Sequence, residues 1–244
     1  MIFDIIGYIA RSIANSIEKG VKIGKFWTIY FFSINNVFAE KYFGSDSISP
    51  IMIDKPFAMN SKEHKDEIKQ VILMQKNLEL QEIDLALKEK QLRPETVVQY
   101  VNKKITRQKF PNLYALLDRV GDTSRDVTDN IKDHFKITRP YLVDKNVEML
   151  ISPSKGYCYP SGHTTGAYIY GSVMSLLMPE NTQKFLDYAQ QISWHRVQVG
   201  MHYPQDLAGG KQLATLLIGG LSQNQEFQVD LEKARDELRN AGLI

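Results

Sequence analysis

No stretch of useful length in this chain alternates apolar and polar residues at the period of a strand, while one segment after another repeats at the period of a helix. Over 62–91 the apolar residues Ile68, Val71, Ile72, Ile83 and Leu87 stand among charged ones, which predicts a solvated helix pair with one buried face. Pro94 ends that stretch, and helical patterns follow over 96–105, 111–120 and 122–135. After an irregular stretch over 140–159, punctuated by Pro153 and Gly156, further helices are expected over 161–178, 181–198, 204–221 and 223–241. The expectation is an all-α fold, a single-domain helical bundle without internal repeats.

Composition narrows the function classes. Hydrophobic residues make up 43% of the 244, enough for one well-buried core and too many for intrinsic disorder. Beyond residue 39 no run of about 20 apolar residues occurs, which excludes a polytopic membrane protein. With 30 Lys and Arg against 28 Asp and Glu there is no general basic field to hold nucleic acid, so any anion is bound locally. The single cysteine, Cys158, has no partner for an intrachain disulfide or a zinc ligand set and reads as a small buried hydrophobe.

Residues 1–39 have a different character. Ile2, Ile6, Ile9, Ile13 and Ile17 recur at helical spacing, Lys19, Lys22 and Lys25 follow, and an uncharged run from Phe26 to Ile34 leads to Val37, Phe38 and Ala39. Positive, then apolar, then small is the order of a secretory signal peptide, which would place the mature chain in a periplasm or outside the cell. The same residues also suit an N-terminal amphipathic segment packed on the domain or lying on a membrane surface, the one part of the chain with a membrane contact to offer. Residues 40–61, with Gly44, Ser45, Ser47, Ser49, Pro50 and Pro56, read as an irregular lead-in.

Three clusters combine phosphate-binding residue types with backbone-shaping glycine or proline. Lys132 and Arg139 stand seven residues apart, two helical turns, which predicts both cations on one helix face with Pro140 stopping the helix. Arg offers a planar fork of donors and Lys a mobile charge; the bland alternative is a solvated face pairing with Asp129 and Asp133. In Tyr159-Pro160-Ser161-Gly162-His163 the serine caps a helix or offers its hydroxyl, the glycine lets backbone amides approach an anion, and His163 faces whatever binds there. A plain N-cap followed by a structural histidine would look the same. In the third cluster Asp206 follows His202 by four residues, so its carboxylate accepts a hydrogen bond from one imidazole nitrogen while the other faces outward, and Arg196 adds a cation. Here the alternative is a helix-terminal salt bridge with a surface histidine.

In order and spacing, Lys132-x6-Arg139-Pro140, then Pro160-Ser161-Gly162-His163, then Arg196-x5-His202-x3-Asp206 resembles the three-part signature of the type 2 phosphatidic acid phosphatase (PAP2) superfamily. The likeness to its bacterial class A non-specific acid phosphatases extends over about 62–242, through the segments beginning at Pro111 and Lys132 and the closing helix over 227–239. The resemblance implies that 62–244 is a helical bundle around one phosphate pocket. It further implies a metal-independent acid phosphatase without a cofactor, taking small-molecule phosphomonoesters and releasing inorganic phosphate. By the same resemblance His202 would attack phosphorus and carry a phosphohistidine, Asp206 would orient it, and His163 would protonate the leaving alkoxide and later activate water. Lys132, Arg139, Ser161, Gly162 and Arg196 would hold the phosphoryl oxygens.

Rival readings are a lipid or lipid A phosphatase anchored through residues 1–39, oxidation by vanadate bound in the same pocket, and a non-catalytic phosphate-binding protein. The chain departs from the family at His195, where serine is usual; the imidazole either adds a modulating phosphate donor at acid pH or packs elsewhere. His64 and His134 match no catalytic position and are expected to be structural. Specificity is expected from the 141–159 connection, and the face around 62–89 packs either within the monomer or in an oligomer.

Overall fold

The structure, a computed structural model, describes residues 41–244. The leader or amphipathic segment expected over 1–39 lies outside the described residues. Among the described residues there is no strand: helices α1 (Lys62–Lys76), α2 (Leu80–Lys88), α3 (Pro94–Val101), α4 (Pro111–Phe135), α5 (Pro140–Val143), α6 (Gly162–Leu177), α7 (Thr182–Gln198), α8 (Pro204–Gln223) and α9 (Gln225–Asn240) follow one another, with short 3-10 turns at Pro50–Met52 and Pro179–Asn181. The fold is all-α, as the periodicity implies.

Helix starts follow local chemistry. Ser61 caps α1 by accepting from the His64 N–H, Ser161 caps α6 by accepting from the Thr164 N–H, and Asn224 caps α9 by accepting from the Phe227 N–H. Pro94, Pro111, Pro140 and Pro204 each occupy the first turn of a helix, where a missing N–H costs nothing. Pro94 therefore opens α3 as much as it closes the segment before it.

One expected boundary is absent. The patterns over 111–120 and 122–135 are a single helix of 25 residues, about 37 Å long. Gly121, at their junction, is a packing device: a Cβ there would sit 2.1 Å from the Tyr170 hydroxyl of α6. The glycine lowers helix propensity and so reads as a break, but it lets two helices approach closely.

The apolar helix α6 lies at the centre, touching α3, α4, α7 and α8, and buries Ala167, Ile169, Val173, Met174 and Leu177. Helix α9 packs on α4 and buries Phe227, Leu231, Ala234 and Leu238. The irregular segment 41–61 is tied to this bundle. Tyr42 N–H donates to Thr123 Oγ1 (3.1 Å), Asn130 Nδ2 donates to Ser45 O (3.1 Å) and Asp54 N–H donates to Gln212 Oε1 (2.9 Å), while Tyr42, Ile48 and Ile53 are buried.

Candidate active site

The first cluster does not sit on one helix face. Helix α4 ends at Phe135, Lys136 takes a left-handed conformation (φ 55°), and the chain turns so that Arg139 is the extended residue before α5. Lys132 remains on the last turn of α4, with Nζ 3.6 Å from the Cβ position of Gly162. The two cations thus reach one region by different routes, and the two-turn reading of their spacing is corrected: a C-terminal cap followed by X-Pro geometry breaks the helical phase.

Arg139 is almost fully buried. Its Nε donates to Gly156 O (3.1 Å), Nη2 to Tyr157 O (3.2 Å) and Nη1 to Met201 O (3.0 Å), and Nη1 also lies 3.3 Å from His202 Nε2. Cys158, between these contacts and the second cluster, donates its backbone N–H to Ile137 O (2.9 Å) and its thiol to the same oxygen (3.2 Å). It also lies beside the Asp206 carboxylate, and burial first, then that charge, pushes its thiol pKa up.

Ser161 and Gly162 open α6 beyond a cis Tyr159–Pro160 peptide. Ser161 N–H donates to Asp206 O (2.9 Å), which joins the start of α6 to the start of α8. The His163 ring turns Nε2 toward Glu89 O (3.1 Å) and Lys90 O (3.2 Å) at the end of α2. Burial first, then the Arg196 charge, lowers its pKa to about 3.

The third cluster assembles as its spacing predicts. His202 Nδ1 donates to Asp206 Oδ2 (2.9 Å), and the same oxygen accepts from Tyr203 N–H (3.0 Å). Gly200, with φ 79°, makes the turn from α7 that delivers His202; a Cβ there would meet Glu148 O at 2.4 Å. Burial pushes the Asp206 carboxyl up to about 7 against the Tyr203 N–H, which favours the carboxylate. Burial, with Arg139, Lys132 and Arg196 adding their charges, holds His202 well below the usual imidazole value. The imidazole is therefore neutral, with its proton on Nδ1 and a lone pair on Nε2.

Arg196 is 1% exposed, donates through Nη1 to Ala86 O (3.2 Å), and has a buried Nε without a hydrogen-bond partner among the described residues. Burial lowers even this guanidinium, to about 10. Three cations around one neutral, oriented histidine form a site for a small, highly charged anion. Among the described residues no three His, Cys, Asp or Glu side chains group as ligands for a metal ion. Lys132, Gly162 and His163 line one end of a cavity of about 290 Å³ that continues between α4 and α6 past Thr128, Ser124 and Gly121 to Tyr170.

His195 takes the second of its two expected courses. Its Nδ1 pairs with Glu89 Oε2 at 2.8 Å, with both side chains buried, and the residue borders a separate cavity of about 370 Å³ with Glu82, Trp194 and Gln198. His64 is buried with its ring centroid 5.0 Å from that of Tyr203, and His134 packs edge-on against Phe135. Sequence reasoning missed Glu89, Lys90 and Ala86, which grip the site from α2, and Glu67, whose carboxylate accepts from Gln205 N–H (2.6 Å) next to Asp206. Charged residues on a solvated helix pair carry no signal of such contacts.

The helical bundle thus brings the charges of Lys132, Arg139 and Arg196 and the capped Ser161-Gly162-His163 turn to the neighbourhood of the His202–Asp206 pair. Residues 122–229 match the model of the PAP2 superfamily. It is similar to the non-specific acid phosphatase of Providencia stuartii, 30% identical over 138 residues, covering 54% of this chain and 56% of that protein. It is also similar to an acid phosphatase of Zymomonas mobilis (29% over 140 residues; 54% and 52%) and to the non-specific acid phosphatase of Salmonella typhi (27% over 149 residues; 57% and 56%). The chain spans about half the length of the curated relatives it matches. No helix among the described residues is long and apolar enough to cross a membrane.

Proposed function

We propose that the protein is an acid phosphatase that hydrolyses small phosphomonoesters through a phosphohistidine. The observation that carries this reading is the His202–Asp206 contact of 2.9 Å, which leaves His202 Nε2 as a lone pair among the cations. Nε2 attacks phosphorus, the bond to the leaving oxygen breaks, and His163 supplies the proton that oxygen needs. In the second half His163 takes a proton from water, the water oxygen bonds to phosphorus, and the P–N electron pair returns to His202 Nε2.

His163 and His202 are held as weak bases by burial and by Arg196, Arg139 and Lys132. A phosphoryl dianion among those cations offsets them, so substrate binding itself favours a protonated His163. Lys132, Arg139, Arg196, Ser161 and Gly162 supply the charge and amides for its oxygens, each charge-assisted bond contributing about 1.5–3 kcal/mol. The cavity between α4 and α6, about 290 Å³ and fringed by Ser124, Thr128 and Tyr170, favours a compact polar leaving group over a diacyl lipid. Export to a periplasm or the cell exterior, with residues 1–39 as leader, belongs to the same reading and is supported by their charge and apolar order.

The test is hydrolysis of p-nitrophenyl phosphate from pH 4 to 9 with a chelator present, beside His202→Ala, with rapid quench to trap a base-stable, acid-labile phosphoryl label. Activity on the acid side of neutrality, a label in the native chain and neither in the variant are expected. Folded protein that binds phosphate or vanadate without turnover would leave a binding protein instead.

A further inference from the structure

Helix α2 and its C-cap residue present to α7 three positions spaced four and three residues apart: Glu82, Ala86 and Glu89. Glu82 Oε1 accepts from Gln198 Nε2 (2.7 Å), Ala86 O accepts from Arg196 (3.2 Å), and Glu89 Oε2 meets His195 Nδ1 (2.8 Å). The last of these is the most enclosed, with Glu89 2% and His195 8% exposed. Directly beyond it, the backbone carbonyls of Glu89 and Lys90 face His163 Nε2. A carbonyl oxygen only accepts, so Nε2 must carry a proton in this arrangement, and Nδ1 is the nitrogen left to exchange one.

We propose that Glu89 and His195 are positioning residues: their buried pair fixes the C-terminal end of α2 so that its carbonyls hold His163 Nε2–H and aim Nδ1 at the leaving oxygen. The inference rests on the phosphatase reading and adds to it the residues that set the acid. During the first half-reaction the Nδ1 proton passes to the leaving oxygen as its bond to phosphorus breaks. During the second, Nδ1 takes a proton from the attacking water as the P–N bond breaks. Nε2–H stays on its carbonyls throughout. Removing either partner leaves the other buried and unpaired, which displaces the end of α2. Lys132 and Arg139 stay in place, because they are held by α4 and by the 156–157 and 201 carbonyls, and Arg196 keeps its contact with Ala86 O, which lies inside α2 rather than at its end.

Two esters differing in leaving group test this. p-Nitrophenolate departs with little proton assistance, whereas the alkoxide of glycerol 2-phosphate needs a proton in the transition state. Glu89→Ala and His195→Ala are expected to lose at least tenfold more kcat/KM, which reports only through release of the leaving group, on glycerol 2-phosphate than on p-nitrophenyl phosphate, with inhibition by inorganic phosphate changed less than threefold. Glu89→Gln, which keeps an oxygen acceptor for His195, should recover most of the loss. Glu89→Asp, which keeps the charge but withdraws it by one methylene, should show the same discrimination should the alanine variants fold poorly. Equal losses of kcat/KM on both esters, or no loss, would overturn the positioning role while the phosphatase reading stands. A native protein inactive on both esters, with His202→Ala no different, would remove the phosphatase reading and this one with it.

Discussion

Arg139 Nη1 lies 3.3 Å from His202 Nε2 while the same nitrogen donates to Met201 O, the carbonyl preceding that histidine. The guanidinium thus grips the backbone on which the proposed nucleophile is carried and faces its Nε2 at once. Its other contacts, on the 156 and 157 carbonyls, anchor the grip to a distant part of the chain.

Arg139→Lys keeps the charge and discards this geometry, because an ammonium has no planar fork with which to span three carbonyls. The expected outcome is a fall in kcat of about 100-fold and a destabilisation of about 2 kcal/mol. Steady-state kinetics and thermal melts read the two effects separately.

Lys132→Met removes a cation from the end of the cavity bordered by Gly162 and His163 and leaves the helix intact. Vanadate inhibition should weaken by about 10- to 100-fold, the equivalent of one charge-assisted hydrogen bond. The His202 imidazole, freed of one of the charges that lower it, should titrate at higher pH by NMR.

Gly200→Ala puts a Cβ on a residue with φ 79° and within 2.4 Å of Glu148 O. Backbone cannot yield as a flexible side chain would, so a loss of about 2–4 kcal/mol is expected. Because the turn delivers His202, activity should fall even in the fraction that remains folded, which kinetics normalised to folded protein would show.

Glu67 is buried, and desolvation first, then the Asp206 charge, pushes its carboxyl up to about 7, against the favourable Gln205 N–H. An unfolded glutamate titrates near 4.5, so between these values the folded chain holds a proton that the unfolded chain has lost. Stability from this group therefore falls as pH rises through that window. Glu67→Gln keeps the acceptor and removes the titration. Relative to the native protein it should gain about 2 kcal/mol between pH 5 and 8 in urea denaturation, and a constant difference across that range would rule the effect out.

The fold class was legible because helical periodicity is a local property, and the His202–Asp206 contact was legible because Asp206, in the first turn of α8, reaches back over the short stretch that leads into the helix and accepts from both Tyr203 N–H and His202. Arg139 was legible as a residue but not as a position. Its spacing from Lys132 suggested a helix face, whereas Lys136 in the left-handed region redirects the chain. Gly121 misled in the opposite sense, since only the opposing Tyr170 reveals why a glycine stands inside a long helix. Glu89 and Ala86 were invisible for a stronger reason. Ala86 and the Glu89–Lys90 pair act on Arg196 and His163 through backbone carbonyls, which every residue type has, so no residue pattern could announce them.

The ties of segment 41–61 to the bundle set a limit on where the chain can be cut without loss to the site. Tyr159 donates its hydroxyl to Asp54 O, two residues before Ser161, and Phe57 N–H donates to Gln205 Oε1 (2.6 Å), the residue before Asp206. A peptidase cutting at or before residue 40 leaves these ties whole. One cutting at residue 61 strips the acceptor from beneath the Ser161 turn and the donor from beside Asp206, while every side chain of the three clusters remains in the chain. Trimming within this span would therefore loosen the starts of α6 and α8 while leaving the three motifs of the sequence whole.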